Sequence, residues 1–204
     1  MRSLAIYAAA AATATVLLSG CAVLPKSGSG HDKLEQQADA LKTTPAARNA
    51  DAQQRLTDAL ATIYADSTVR PLHYYSKFVD LNGDGKREAV AYVVGPDGCA
   101  DGCDLYVLAR DGDRYEAVSR IPTSRAPLYQ LDHRDDGWHD LLVTMLGDAG
   151  GSDRQRMQYA GGGYVPVDDD RTEDAARTPL IPNLDGRGHA IPATTGDRGT
   201  ADRP

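Results

Sequence analysis

The sequence predicts an α+β fold: an N-terminal amphipathic helix packed on an antiparallel β-meander, curled or partly closed, with a disordered C-terminal tail. Three observations carry that expectation. Thr44-Pro45 introduces a run of strong helix formers with one apolar stripe. From His73 the pattern shortens into β-rich runs separated by Gly- and Asp-containing turns, with no long helical run between them. From Asp168 the chain turns to Asp, Arg, Gly, Pro and Thr, too poor in apolar residues to offset its own ordering entropy. The expected divisions are a leader at 1–20, a tether at 21–44, a helix plus antiparallel β domain at 45–167 and a tail at 168–204.

Arg2 precedes an Ala-rich apolar stretch from Leu4 to Leu18, and Ser19-Gly20 place small residues before Cys21. This is the layout of a signal peptide. The apolar run is shorter than the roughly 20 residues of a spanning helix. Leu18-Ser19-Gly20-Cys21 resembles the lipobox of bacterial lipoproteins. The resemblance implies cleavage before Cys21, a diacylglyceryl group on its sulfur and an acyl chain, such as palmitate, on the new N-terminus. The partner is then a lipid bilayer, held through Cys21. With Ala22 and not Asp next, the resemblance implies the outer membrane, with the domain facing the periplasm. An ordinary secretory signal with an incidental cysteine is the alternative. Each buried acyl CH₂ contributes about 0.8 kcal/mol, and stable anchoring takes more than one chain.

Loss of residues 1–20 removes Arg2 alone among the charged residues and leaves 21 basic against 29 acidic, a net charge of −8. So acidic a chain is a poor partner for nucleic acid and for anionic lipid headgroups. Another envelope protein fits better. One Phe and one Trp against ten Tyr suit a modest core.

Pro25-Lys26-Ser27-Gly28-Ser29-Gly30 has linker composition, and 31–42 is a weak helix or a solvated spacer. Thr44 is a good N-cap and Pro45 a good first helical residue. Over 46–65, Leu56, Leu60, Ile63 and Tyr64 fall on one stripe. Strands are expected near 72–79, 87–95, 104–110, 114–121, 126–131, 138–146, 154–160 and 163–167. Asp111-Gly112-Asp113, Asp135-Asp136-Gly137 and Gly161-Gly162-Gly163 mark hairpins between them. Such short turns favour antiparallel neighbours. In the tail, Pro179-Leu180-Ile181-Pro182 is the one apolar spot with the means to dock.

The strongest internal motif is Asp80-Leu81-Asn82-Gly83-Asp84-Gly85-Lys86-Arg87-Glu88. Oxygen side chains stand at positions 1, 3, 5 and 9, Gly at 6, and Lys86 offers a backbone carbonyl at 7. Calcium takes six to eight oxygens, which makes Asp80, Asn82, Asp84, Lys86 and Glu88 candidate ligands. The run resembles the calcium loops of EF-hands, dockerins and FG-GAP or VCBS repeats. Ala91 stands where an EF-hand has its bidentate Glu, and the flanks read as strands, so the FG-GAP hairpin loop is the nearer likeness. A metal-free Asn-Gly-Asp-Gly turn uses the same residues for their turn propensity. Beyond it, Cys99…Gly102-Cys103, Gly137-Trp138-His139-Asp140-Leu141 and Gly161-Gly162-Gly163-Tyr164 extend a resemblance to small bacterial envelope proteins without assigned activity.

With Cys21 acylated, Cys99 and Cys103 remain, four apart in a Gly/Asp loop of an oxidising compartment. A disulfide is expected. His133, Trp138 and His139 lie among Asp132, Asp135, Asp136 and Asp140, yet Ser119, Ser124 and Ser152 sit in no nucleophile elbow. A noncatalytic, membrane-anchored binding or accessory domain is therefore expected. The alternative is an envelope hydrolase acting on cell-wall or phosphoester substrates, which needs Asp80, Asp84, Glu88 or His139 to share a cleft.

Overall fold

The computed structural model describes residues 44–147, 151–168 and 177–193. Cys21, the tether and the weak helix expected at 31–42 lie outside them. Helix α1 spans Pro45–Ile63. Thr44 is extended, and its Oγ1 accepts the Ala47 N–H at 3.2 Å, satisfying one of the donors that a helix start leaves free. Ala52, Leu56, Leu60 and Ala61 are buried. Ile63, expected in that stripe, stands at the last helical position and is 39% exposed. Arg70 closes the other end, donating from Nη2 to the Tyr64 carbonyl at 2.7 Å.

Among the described residues, nine strands form one antiparallel sheet. They are β1 Leu72–Val79, β2 Glu88–Val94, β3 Cys103–Asp111, β4 Arg114–Asp135, β5 Trp138–Leu146, β6 Ser152–Ala160, β7 Gly163–Val167, β8 Arg177–Ile181 and β9 His189–Ile191. The order is β7-β6-β5-β4-β3-β2-β1-β9, with β8 on β4. The sheet is not closed: among the described residues no ladder joins β7 to β9.

Two expectations are corrected. The strands expected at 114–121 and 126–131 are one 22-residue strand. Its first half pairs with β3 as far as Ser124, and its second half pairs with β5 from Ser124 to Asp135. Pro122 and Pro127 remove two ladder donors, and the register shifts between Arg125 and Leu128, but proline suits extended backbone and the strand runs on. The tail is not disordered throughout. β8 pairs with β4 (Leu128 opposite Ile181) and β9 with β1 (Leu72 opposite Ile191). Leu180, Ile181 and Ile191 are buried there. Three apolar side chains and two ladders order a stretch whose average composition is polar, and Pro179 is tolerated because β8 is an edge strand.

β2 is buried on both faces, which explains its unbroken run Glu88–Val93. Val90 and Tyr92 join one cluster with Leu105, Val107, Leu128, Leu141, Val143, Met157, Tyr164, Leu180 and Ile181. Ala89, Ala91 and Val93 face the other way, against Leu56 and Leu60 of α1. The alternation of a strand assigns successive side chains to the two clusters.

Candidate functional site

The 80–88 loop folds on its own oxygens. Asp80 accepts the Gly83 N–H at 2.7 Å on one carboxylate oxygen and the Gly85 N–H at 3.0 Å on the other. Asn82 Oδ1 accepts from the Asp84 N–H at 2.9 Å, and Asp84 Oδ1 from the Lys86 N–H at 2.7 Å. The Asn82 and Asp84 bonds, each to the backbone two residues on, are Asx turns, while Asp80 reaches three and five residues ahead. Glu88 goes elsewhere. It is 1% exposed, and its Oε2 accepts the Leu81 N–H at 2.7 Å. Burial pushes its carboxyl above the usual range, against the pull of backbone donors at Leu81 and Asn82. Glu88 therefore braces the loop from beneath. Of the candidate set, Asp80, Asn82, Asp84 and the Lys86 carbonyl are left.

The loop is docked on the turn between β4 and β5. The Leu81 carbonyl accepts the His139 N–H at 2.8 Å and Arg134 Nη1 at 3.3 Å. Arg134 Nη2 also donates to His139 Nε2 at 2.5 Å, while His139 Nδ1 lies 2.7 Å from the Leu131 carbonyl. Guanidinium donates only and a carbonyl accepts only. The proton therefore sits on Nδ1, and both ring nitrogens are engaged. Trp138 stacks on Tyr159 with centroids 4.3 Å apart and planes 8° apart, and Tyr164 stands edge-on to both.

Among the described residues, one trio of His, Cys, Asp or Glu has ligand atoms within 4.8 Å of one another: His133, Asp135 and Asp140. Asp80, Asp84, Glu88 and His139 form no such trio. The 133–140 trio surrounds a guanidinium. Arg156 Nη1 bonds Asp140 Oδ2 and lies 3.4 Å from His133 Nδ1 and 3.5 Å from Asp135 Oδ2. Asp140 is fully buried, takes His133 Nδ1 at 2.8 Å, and has its carboxyl pushed up by burial. Arg156, 4% exposed, holds the position a metal would take and supplies the positive charge that two carboxylates need.

Across β2 from the 80–88 loop lies the knuckle 95–103. Cys99 and Cys103 are disulfide-bonded, Cα atoms 5.1 Å apart. By loop-closure entropy so short a ring adds about 2 kcal/mol. Gly102 has φ +80°, and a Cβ there would meet the Thr123 backbone at 2.5 Å, so the knuckle is seated directly on β4. Ser124, fully buried, donates to the Cys103 carbonyl at 2.9 Å and accepts Tyr92 Oη–H on its own carbonyl at 2.8 Å. Burial pushes the Tyr92 hydroxyl up to about 12.

Beside the knuckle is a groove of about 470 Å³, lined by Tyr64, Val69, Val93, Gly95, Asp104 and Arg120 among others. Asp104 accepts Arg120 Nε and Nη2 at 3.0 Å each and Tyr64 Oη–H at 2.8 Å. Burial pushes the Tyr64 hydroxyl well up. The groove thus has a pinned wall and a polar floor.

Arg134, Arg156, Asp104, Arg120 and Tyr159 are members of these networks that the sequence did not single out, and Ser124, weighed there as a nucleophile, serves as a buried hydrogen-bond donor. The His133–Asp140 pair had a signal. A two-residue turn at Asp136-Gly137 sets Asp135 opposite Trp138 and Arg134 opposite His139, and the residues that follow on each strand, His133 and Asp140, come within hydrogen-bond reach where the register shifts. No family model, curated protein or solved structure matches this chain.

Proposed function

We propose that this is a lipid-anchored protein of the cell envelope, held at the outer membrane through acylated Cys21 and facing the periplasm, whose sheet curls into a noncatalytic binding module. The observation that carries the binding role is the groove of about 470 Å³ beside the disulfide knuckle. Its wall is fixed covalently and by the Gly102–Thr123 contact before any partner arrives, and a preorganised surface loses less entropy on binding. The partner is another envelope protein. The hydrolase alternative is less well supported. His133 and Asp140 are the nearest thing to a catalytic dyad, and their shared carboxylate is already committed to Arg156.

In the same proposal, calcium is held by Asp80, Asn82, Asp84 and the Lys86 carbonyl. Each side-chain oxygen keeps a lone pair beyond its backbone bond. With Glu88 turned inward, these four positions fall short of six to eight oxygens, so water completes the shell. The affinity belongs with the weak extracellular class, about 10⁻⁴–10⁻³ M.

The test is site-specific photocrosslinking in the intact envelope. A crosslinking residue replacing Asp101, at the groove, is compared with one replacing Arg154, on exposed β6. A discrete protein adduct from position 101, absent from position 154 and lost when Asp104 and Arg120 are both replaced by Ala, is the expected result. Equal adducts from both positions, or none from position 101, would sink the reading.

A further inference from the structure

The acidic net charge conceals a local reversal. A concavity of about 530 Å³ lies between the first turns of α1, the end of the 80–88 loop and β3, and Arg48, Lys86, Arg87 and Arg110 line it. All four are exposed. Among the described residues Asp51 is the one acidic residue lining it, and Arg55 holds that carboxylate at 2.8 Å. Arg87 and Arg110 are positioned by neutral partners. Arg87 Nη2 donates to Asn49 Oδ1 at 2.9 Å, and its guanidinium lies 5.9 Å from the Phe78 ring centroid. Arg110 Nε donates to the Gly112 carbonyl at 3.1 Å. Tyr115 Oη–H fixes the Arg87 carbonyl at 3.2 Å. Lys86 has a carboxylate at hand, Asp84, but at 3.8 Å and with both side chains in solvent, where such a pair contributes little. The first turn of α1 carries no acidic residue, so no side chain of that turn offsets the positive end of its dipole, which adds to the same field.

We propose that this concavity binds the phosphoryl group of a phosphomonoester or diphosphate, free or carried on a lipid headgroup. Three arginines present planar donor forks that match phosphate oxygens, with a lysine as a mobile point charge. Four cations against one committed carboxylate favour a ligand of two or more negative charges over a simple carboxylate. The volume exceeds what one phosphate fills and leaves room for a second phosphate or the carrier. This inference is independent of the knuckle groove and of calcium.

The experiment is calorimetric titration of the full chain, in non-ionic detergent, with inorganic pyrophosphate and, separately, with dihexanoyl phosphatidic acid. Saturable binding with Kd below about 1 mM is expected. It should weaken at least tenfold in Arg48→Gln/Arg110→Gln and fall several-fold between 50 and 200 mM salt, as a partly exposed charge interaction must. Arg154→Gln should bind as the parent does, and all variants should keep the parent melting midpoint, since the exchanged groups are exposed. Binding of pyrophosphate alone assigns a free ligand, of the lipid alone a headgroup, and of both the phosphoryl group itself. No saturable binding of either, or binding that Arg48→Gln/Arg110→Gln leaves within twofold of the parent, overturns the proposal.

Discussion

The 80–88 loop and the 95–103 knuckle flank the same strand and answer the same need by different chemistry. Each joins β2 to an antiparallel neighbour through a polar, glycine-containing turn too long for a two-residue hairpin. The first is closed by carboxylate and amide oxygens on backbone N–H groups, with Glu88 buried under it. The second is closed by a disulfide and a glycine pressed against Thr123. Oxygens used for closure face inward, so the first loop has few left to offer. A covalent closure leaves Asp97, Asp101 and Asp104 to line an open groove. Two turns of similar composition thus differ in what remains available to a ligand.

The largest expected effect falls on the knuckle. Gly102→Ala puts a Cβ 2.5 Å from the Thr123 backbone in a left-handed conformation. It should cost roughly 3 kcal/mol or more, read as a lower denaturant midpoint. A loss below 1 kcal/mol would mean that the knuckle can lift off β4. Next is Glu88→Ala, which strips buried N–H groups of their acceptor and leaves a hole. About 2–3 kcal/mol is expected, with Glu88→Gln much milder because the amide oxygen still accepts.

Glu88 also has a pH signature. Its folded pKa is raised by burial, so its stabilising contribution is complete below the unfolded glutamate value, about 4.3, and is lost as pH rises through the folded value. Unfolding followed from pH 4 upward should show that decline in the parent, and Glu88→Gln should flatten it. An unchanged slope would remove Glu88 as its source. Replacing Cys99 and Cys103 by Ser should cost about 2 kcal/mol and leave the 80–88 loop intact. Calcium comes last, on a par with the disulfide or below it: 10 mM against chelator should add about 1.4 kcal/mol if Kd is 10⁻³ M. Coincident melting curves would reduce the loop to a self-closed turn.

Much of the β framework was legible because turn chemistry and alternation are local. The Asp-Gly and Gly-Gly-Gly signals fall where β3–β4, β4–β5 and β6–β7 turn. The helix start was legible for the same reason, Thr44 and Pro45 being a local cap. Long-range partners were not. Nothing near Arg156 announces Asp140; they meet because the β5–β6 register sets Leu142 opposite Arg156 and brings a diagonal neighbour within reach. β8 and β9 were missed because composition was averaged over a polar tail, while Leu180, Ile181 and Ile191 act singly at places the rest of the chain prepares. The candidate ligands of the 80–88 loop were identifiable as a set. The inward turn of Glu88 follows from strand alternation, which places it on the same face as Val90 and Tyr92.

The pairing of Leu72 with Ile191 has a consequence in time. One edge of β1 stays bare until roughly 120 more residues have emerged, and non-local contacts of that kind close slowly. A chain appearing from its N-terminus can build the ladders from β1 to β7 in sequence, yet the first strand waits for the last. Until then its open edge is where a second copy, or a chaperone that reads strand edges, finds a template.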